Sequence, residues 1–179
     1  MSDIPWQKAE IAGPKKALPL TKPEVALAML KRSKRPVLIV GHKVVDIDLG
    51  GKKLIDYIIE LAKAGGIPVV ATAHSIKEFL SREFRNVSSM PAMDIANRLR
   101  DPEWKGLDGE GAYDLVFFVG MPYYMEWLIL SGLKHFSQRL KTICLDGFYQ
   151  PNASWSTLNI SPKELREFFE TFIAKLGGR

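Results

Sequence analysis

The 179 residues suffice for one α/β-sized domain, and 46% apolar with 25% charged residues is the balance of an ordinary globular core. No apolar run approaches the ~20 residues of a membrane span, and no secretory leader pattern opens the chain, so a cytoplasmic protein without a membrane partner is expected. One cysteine, Cys144, rules out an internal disulfide, and the net charge of +5 is spread too thinly over the chain to suggest nucleic acid.

Residues 1–20 contain Pro5, Pro14, Pro19 and Gly13 and are expected to form an extended arm, followed by a single domain over 21–179. Trp6 and Ile11 give that arm something to bury, on the domain itself or on a partner. Thr21-Lys22-Pro23-Glu24 has capping-box spacing and opens a helix running to about Lys34, whose basic end, Lys31 to Arg35, reads as a solvated helix terminus. Val37 to Val40 is then apolar at every position, which requires cover on both faces: the mark of a central parallel strand. A loop, HKVVDIDLGG, leads to a helix from about Gly51 to Ala64, stopped by Gly65-Gly66, and Ile67 to Thr72 is a second buried strand.

The middle of the chain is less regular. Short helices are expected over Ser75–Phe84 and Ala92–Arg100, with a turn or edge strand between them and a surface loop from Asp101 to Tyr113. Asp114 to Gly120 is another strand apolar throughout and ending in Gly. An apolar helix follows to about Ser137, then a strand over Lys141–Gly147, an irregular segment, and a last helix opened by the capping box of Ser161-Pro162-Lys163-Glu164. The pattern is that of a three-layer α/β/α doubly wound parallel sheet, Rossmann-like in plan.

Catalytic signatures are missing. His42, His74 and His135 lack metal-ligand spacing, there is no P-loop or nucleophile elbow, and Cys144 lies in an apolar strand as a small hydrophobe. The carboxylate pairs Asp46/Asp48 and Asp108/Glu110 fall in polar turns. In a doubly wound fold a ligand crevice would lie between Gly41-His42-Lys43 and Gly120-Met121, with Asp146 placed to accept from a ribose hydroxyl. The loop after Val40 nevertheless lacks the G-x-G-x-x-G fingerprint. The helix after Pro122 is apolar nearly all the way round, so it is either wholly internal or offers Tyr123, Tyr124 and Trp127 to another chain. Tyr149, Pro151 and Asn152 of the following irregular segment, with Trp6 of the arm, join this candidate interface.

Four stretches carry a resemblance: YDLVFFVGMPYYMEWLILSGLKHFS (113–137), KTICLDGFYQPNASWS (141–156), WQKAEIAGPKKA (6–17) and LTKPEV (20–25). Across essentially the whole chain the sequence resembles the epsilon subunit of the archaeal CO dehydrogenase/acetyl-CoA decarbonylase/synthase complex. More coarsely, RPVLIVG, AGGIPVVATA and YDLVFFVG are similar to the NAD/FAD-binding central domain of thiamine-diphosphate enzymes, the DHS-like variant of the fold. The family resemblance implies an accessory subunit without catalysis of its own, bound to the large alpha subunit of CO dehydrogenase as an α2ε2 unit. It implies no resident metal and no required cofactor, with FAD as the one candidate through a credited role in electron transfer. The alternative is a stand-alone flavin- or dinucleotide-binding electron-transfer module; a homodimer is a candidate state of the chain by itself.

Overall fold

A computed structural model describes residues 2–5, 12–72, 75–137 and 139–178. In chain order the elements are β1 (Leu18–Pro19), α1 (Pro23–Arg32), β2 (Pro36–Val40), a 3₁₀ turn (His42–Val45), α2 (Leu54–Gly65), β3 (Val69–Ala71), α3 (Ile76–Ser81), β4 (Val87–Ser89), α4 (Ala92–Arg100), β5 (Leu115–Val119), α5 (Tyr123–Phe136), β6 (Lys141–Cys144), β7 (Trp155–Ser156) and α6 (Pro162–Gly177). The described strands form one seven-stranded sheet in the order β1-β7-β6-β5-β2-β3-β4, every pairing parallel. The order reverses between β2 and β5, which pair from Pro36 with Leu115 to Val40 with Val119. The α/β class and its central strands are as the sequence predicts.

Alternation along the two central strands sorts their side chains into two cores. Leu38, Val40, Phe117 and Val119 face the layer of α1, α2 and α6, where Phe169 and Phe172 are wholly buried. Val37, Ile39, Val116 and Phe118 face α4 and α5, meeting Ile95, Ile129, Leu130 and Leu133. Each fully buried side chain of this size contributes about 1.5–3 kcal/mol, so the two cores supply the bulk of the stabilisation. The layer arrangement is therefore α1/α2/α6, sheet, α4/α5.

Several local expectations are corrected. The Thr21–Glu24 capping box does not form: the helix begins one residue later, with Lys22 at the cap and no side-chain cap bond. Glu24, too early in the first turn to reach back, pairs instead with Lys175 of α6. The Ser161/Glu164 box is complete, Glu164 N donating to Ser161 Oγ at 3.3 Å and Ser161 N to Glu164 Oε2 at 2.8 Å. The helix expected from Gly51 starts at Leu54, because the Asp48 carboxylate accepts both Gly50 and Gly51 N–H and holds them in a turn.

The arm and the segment before α6 also contribute strands that periodicity does not reveal. Leu18–Pro19 pairs with Trp155–Ser156, and β7 in turn lies beside β6. Both strands are two residues long, and Pro19 sits on the sheet edge, where a missing N–H is tolerated. The arm is tied down further upstream by Lys134 of α5, whose ammonium donates to Ala12 O at 2.7 Å, Asn152 Oδ1 at 3.3 Å and Lys15 O. All three ammonium protons thus meet acceptors, and burial draws the Lys134 pKa down from the usual lysine value. Replacing Lys134 by Met keeps the stem and removes the clamp. Trypsin cleavage at Lys15 and Lys16 is expected to accelerate by about tenfold or more, the equivalent of one charge-assisted hydrogen bond, as followed by mass spectrometry of a timed digest.

Candidate functional site

At the carboxyl ends of β2 and β5 each strand runs into a glycine, and the two turns lie against one another. Gly41 N donates to Val119 O at 2.8 Å and Lys43 N to Gly120 O at 3.0 Å. A Cβ on Gly41 would fall 2.1 Å from Gly120 O; one on Gly120, whose φ is +71°, would fall 2.3 Å from Val44 Cγ1. Both glycines are thus required by backbone packed on backbone. A dinucleotide fold uses such glycines to let a pyrophosphate approach; here the space is taken by the opposite turn. A cavity of only ≈ 50 Å³ remains beside them, between Lys43, Asp146 and Gln150, a volume suited to water and not to a flavin or nicotinamide dinucleotide. Of the predicted crevice residues, Gly41, Gly120, Met121 and Asp146 are buried together, while His42 and Lys43 stand exposed on the 3₁₀ turn.

Asp146 turns inward. Its Oδ1 accepts Gly120 N–H at 2.7 Å, and its side chain belongs to a buried group with Glu126 of α5 and Cys144 of β6. Glu126 is 1% exposed and Cys144 fully buried, and ligand atoms of the three side chains lie within 4.8 Å of one another. Gln150 braces the group, its Nε2 donating to Tyr123 O at 3.0 Å and Glu126 Oε2 at 3.4 Å. Burial and then the charge of Asp146 push the Glu126 carboxyl well above the usual range. Asp146 is raised by burial too, against hydrogen bonds from Glu126 and Gly120 and the field of Lys43. Two carboxyl groups this close and this dry cannot both ionise: Glu126 holds the proton and Asp146 is the acceptor. In that state Glu126 is itself a donor, which makes tolerable the lack of any N–H or hydroxyl partner for its Oε1.

Burial, then the charges of Glu126 and Asp146, also drive the Cys144 pKa up, so its sulfur stays a thiol facing Asp146 Oδ2 at 4.0 Å. Among the described residues this is the one set whose atoms could together ligate a metal ion, and a divalent ion would have to displace the protons already held there. As it stands, the group latches the start of α5 to the end of β6. Sequence reading missed Glu126 because the surrounding helix is apolar on every side. A signal was present: Glu126, Ile129, Leu130 and Leu133 share one helical stripe, the buried one.

The candidate interface divides in two. Tyr124 is 64% exposed and Leu128 58%, whereas Tyr123 and Trp127 are half-buried. Tyr149, Pro151 and Asn152 are buried within the chain itself and drop out of the exposed surface. The Tyr149 hydroxyl donates to Ala17 O at 2.6 Å and Pro151 O accepts Ala17 N–H, so this segment holds the chain's own arm. Trp6 lies outside the described residues. His135 is exposed and His74 lies outside the described residues, and the Asp48 and Asp108 carboxylates serve turns, as their composition predicts.

The fold and site together define a parallel α/β protein whose nucleotide-type crevice is narrowed by its own backbone and whose polar cluster is buried beside a water-sized cavity. A family model described as "CO dehydrogenase beta subunit/acetyl-CoA synthase epsilon subunit" matches residues 1–175, and the chain belongs to this family. It is 37% identical over 176 residues to the acetyl-CoA decarbonylase/synthase complex subunit epsilon of Methanothrix soehngenii, covering 97% of this chain and 91% of the relative. Identity to the corresponding subunit of Methanothermobacter thermautotrophicus is 34%, over 96% and 95% of the two chains. Identity to epsilon 1 of Archaeoglobus fulgidus is 42%, over 78% of this chain and 73% of that one. No helix of the described residues is long and apolar enough to cross a membrane.

The shared proton makes a prediction. The folded chain retains it at pH values where the unfolded chain has released it, so the folded state binds more protons above the ordinary carboxylate range. Stability therefore falls as pH rises from that range towards the raised folded value. Glu126→Gln supplies an N–H donor that cannot titrate. Between about pH 5 and about pH 8, above the ordinary carboxylate range, the wild-type Tm is expected to decline relative to that of the variant in parallel melts. A difference independent of pH would contradict the shared-proton assignment.

Proposed function

We propose that the chain is a non-catalytic accessory subunit that docks on the large alpha subunit of the CO dehydrogenase component, in an α2ε2 unit, and stabilises it. Membership of the epsilon family supports the assembly, and one surface observation carries the docking role. Along the outer face of α5, Tyr124, Leu128, Gly132 and Phe136 recur every four residues. The three side chains are exposed by 64%, 58% and 68%, and Phe136 is steadied by Arg100 over its ring at 5.4 Å. Gly132 between them has open space where a Cβ would stand, so a partner can approach the helix backbone. The stripe runs about 18 Å at 1.5 Å per residue. An ordered apolar stripe on a helix whose opposite face is already buried is an interface in waiting. In the absence of the large subunit, the same stripe is where two copies of the chain would meet.

The burial of Glu126, Cys144 and Asp146, beside a cavity of only ≈ 50 Å³, supports a role without chemistry of its own. A part in electron transfer to FAD would require a flavin held elsewhere than the crevice between Gly41 and Gly120, where the backbone leaves no room. Titration of the isolated chain with FAD is expected to give neither flavin quenching nor a thermal shift; saturable binding would restore the electron-transfer reading. Tyr124→Ala and Leu128→Asp are each expected to weaken association with the large subunit by about 2 kcal/mol or more, roughly thirtyfold, with an unchanged melting temperature. Calorimetric titration checks this, and wild-type affinity in both variants would exclude the stripe as the docking face.

A further inference from the structure

The excess of positive charge is not at the crevice where a nucleotide-type fold would use it. It gathers at the opposite, amino-terminal edge of the sheet, around two adjoining clefts that share Lys141. The larger, ≈ 340 Å³, has an apolar floor of Met29, Leu115 and Trp155 and is edged by Arg32, Arg139 and Lys141. The smaller, ≈ 180 Å³, continues past Lys141 to Lys15 and Lys16 of the arm. All five cations are exposed, and none forms an ion pair with a described residue. The one carboxylate lining either cleft, Asp114, is already committed: it accepts from Ser33 Oγ, from Lys34 N at 2.8 Å and from Arg35 N at 3.1 Å. Elsewhere on the surface Arg82, Arg98 and Arg166 each have an acidic neighbour. At this edge five such unpaired cations gather around an apolar floor, with no uncommitted carboxylate among the lining residues.

We infer that the two clefts receive an acidic segment of the partner subunit, with an apolar side chain seated on Met29, Leu115 and Trp155 and flanking carboxylates on Arg32, Arg139 and Lys141. Two guanidinium forks suit carboxylates in bidentate geometry, and the half-buried indole offers the anchor's side chain a flat surface. The cations ring an apolar floor and do not line a track with stacking platforms, which favours a peptide over a nucleic-acid strand. The edge also adjoins the docking stripe: Arg139 follows Phe136, the last residue of α5, by three positions, so one partner can cover both. The inference rests on the docking reading above and adds to it the charge of the segment that binds.

The test uses the full chain and the large subunit, titrated in low and high salt. The triple variant Arg32→Glu/Arg139→Glu/Lys141→Glu is compared with a matched charge reversal at exposed lysines away from the clefts, Lys53→Glu/Lys77→Glu/Lys163→Glu. A milder Arg32→Gln/Arg139→Gln/Lys141→Gln variant guards against misfolding, and melting temperatures verify that each chain folds. Wild-type affinity is expected to fall at least tenfold between about 0.05 and about 0.5 M salt, as charge screening shortens. The cleft triple should bind at least tenfold more weakly than the matched control and lose most of its salt dependence. Cleft variants within twofold of the control, or wild-type binding insensitive to salt, would overturn the inference while leaving the docking stripe intact. Absence of wild-type binding would remove both. A single-stranded oligonucleotide that binds wild type but not the cleft triple, with association to the large subunit unaffected, would assign the site to nucleic acid and equally overturn it.

Discussion

A parallel sheet has two faces and no hairpins, and both faces must be roofed by the crossover helices of the same chain. That constraint governs this molecule. Because β2 and β5 are apolar at every position, neither face of the sheet can be left to water, and the chain spends α1, α2 and α6 on one and α4 and α5 on the other. On the first face α6 packs its row of phenylalanines against the sheet beside α1 and α2 and turns a polar face to solvent. On the second, α5 packs beside α4. Having met the sheet through Ile129, Leu130 and Leu133, it has apolar residues left over, and these point away from the molecule.

The same sheet brings the backbone of two turns together at the switch point of a nucleotide-type plan. The switch point between β2 and β5 is present, and both strands end in glycine. The turn beyond Gly41 lacks the glycine fingerprint of a dinucleotide-binding turn. His42–Val45 folds over as a 3₁₀ turn and fills the gap with Val44 and the backbone of Gly120. Closure in turn buries Glu126 and Asp146 so close together that they share a proton. The polar residues at the end of β6 therefore hold α5 and the segment from Gly147 to Ser156 against the sheet.

Edges pose the complementary problem. An open sheet presents unpaired backbone at both margins, and this one ends in short strands: Val87–Ser89 on one side and Leu18–Pro19, with its proline, on the other. The arm thereby becomes part of the fold. Its attachment through Ala17, Lys134 and Tyr149 turns the segment around Pro151 and Asn152 inward, and it places Lys15 and Lys16 beside Lys141. One short strand thus both caps the sheet and extends a basic surface.

Local sequence by itself determined the parts of the protein whose physics is local or periodic. Val37–Val40 and Leu115–Val119 could only be covered strands, Ser161-Pro162-Lys163-Glu164 could only open a helix, and the turn carboxylates announced themselves by their neighbours. The remainder was set by contacts between residues far apart in the chain. A two-residue strand such as Trp155–Ser156 has no period to read, and its existence depends on Leu18 arriving beside it from 137 residues away. Glycines that look made for a phosphate are filled by a turn nearly 80 residues distant, a clash visible only when both turns are in place. The helix of α5 was apolar all round, so its pattern could not say which side faced in. Only the packing against Ile39 and Phe118 decided that Glu126 would be buried and that Tyr124 and Leu128 would be left exposed.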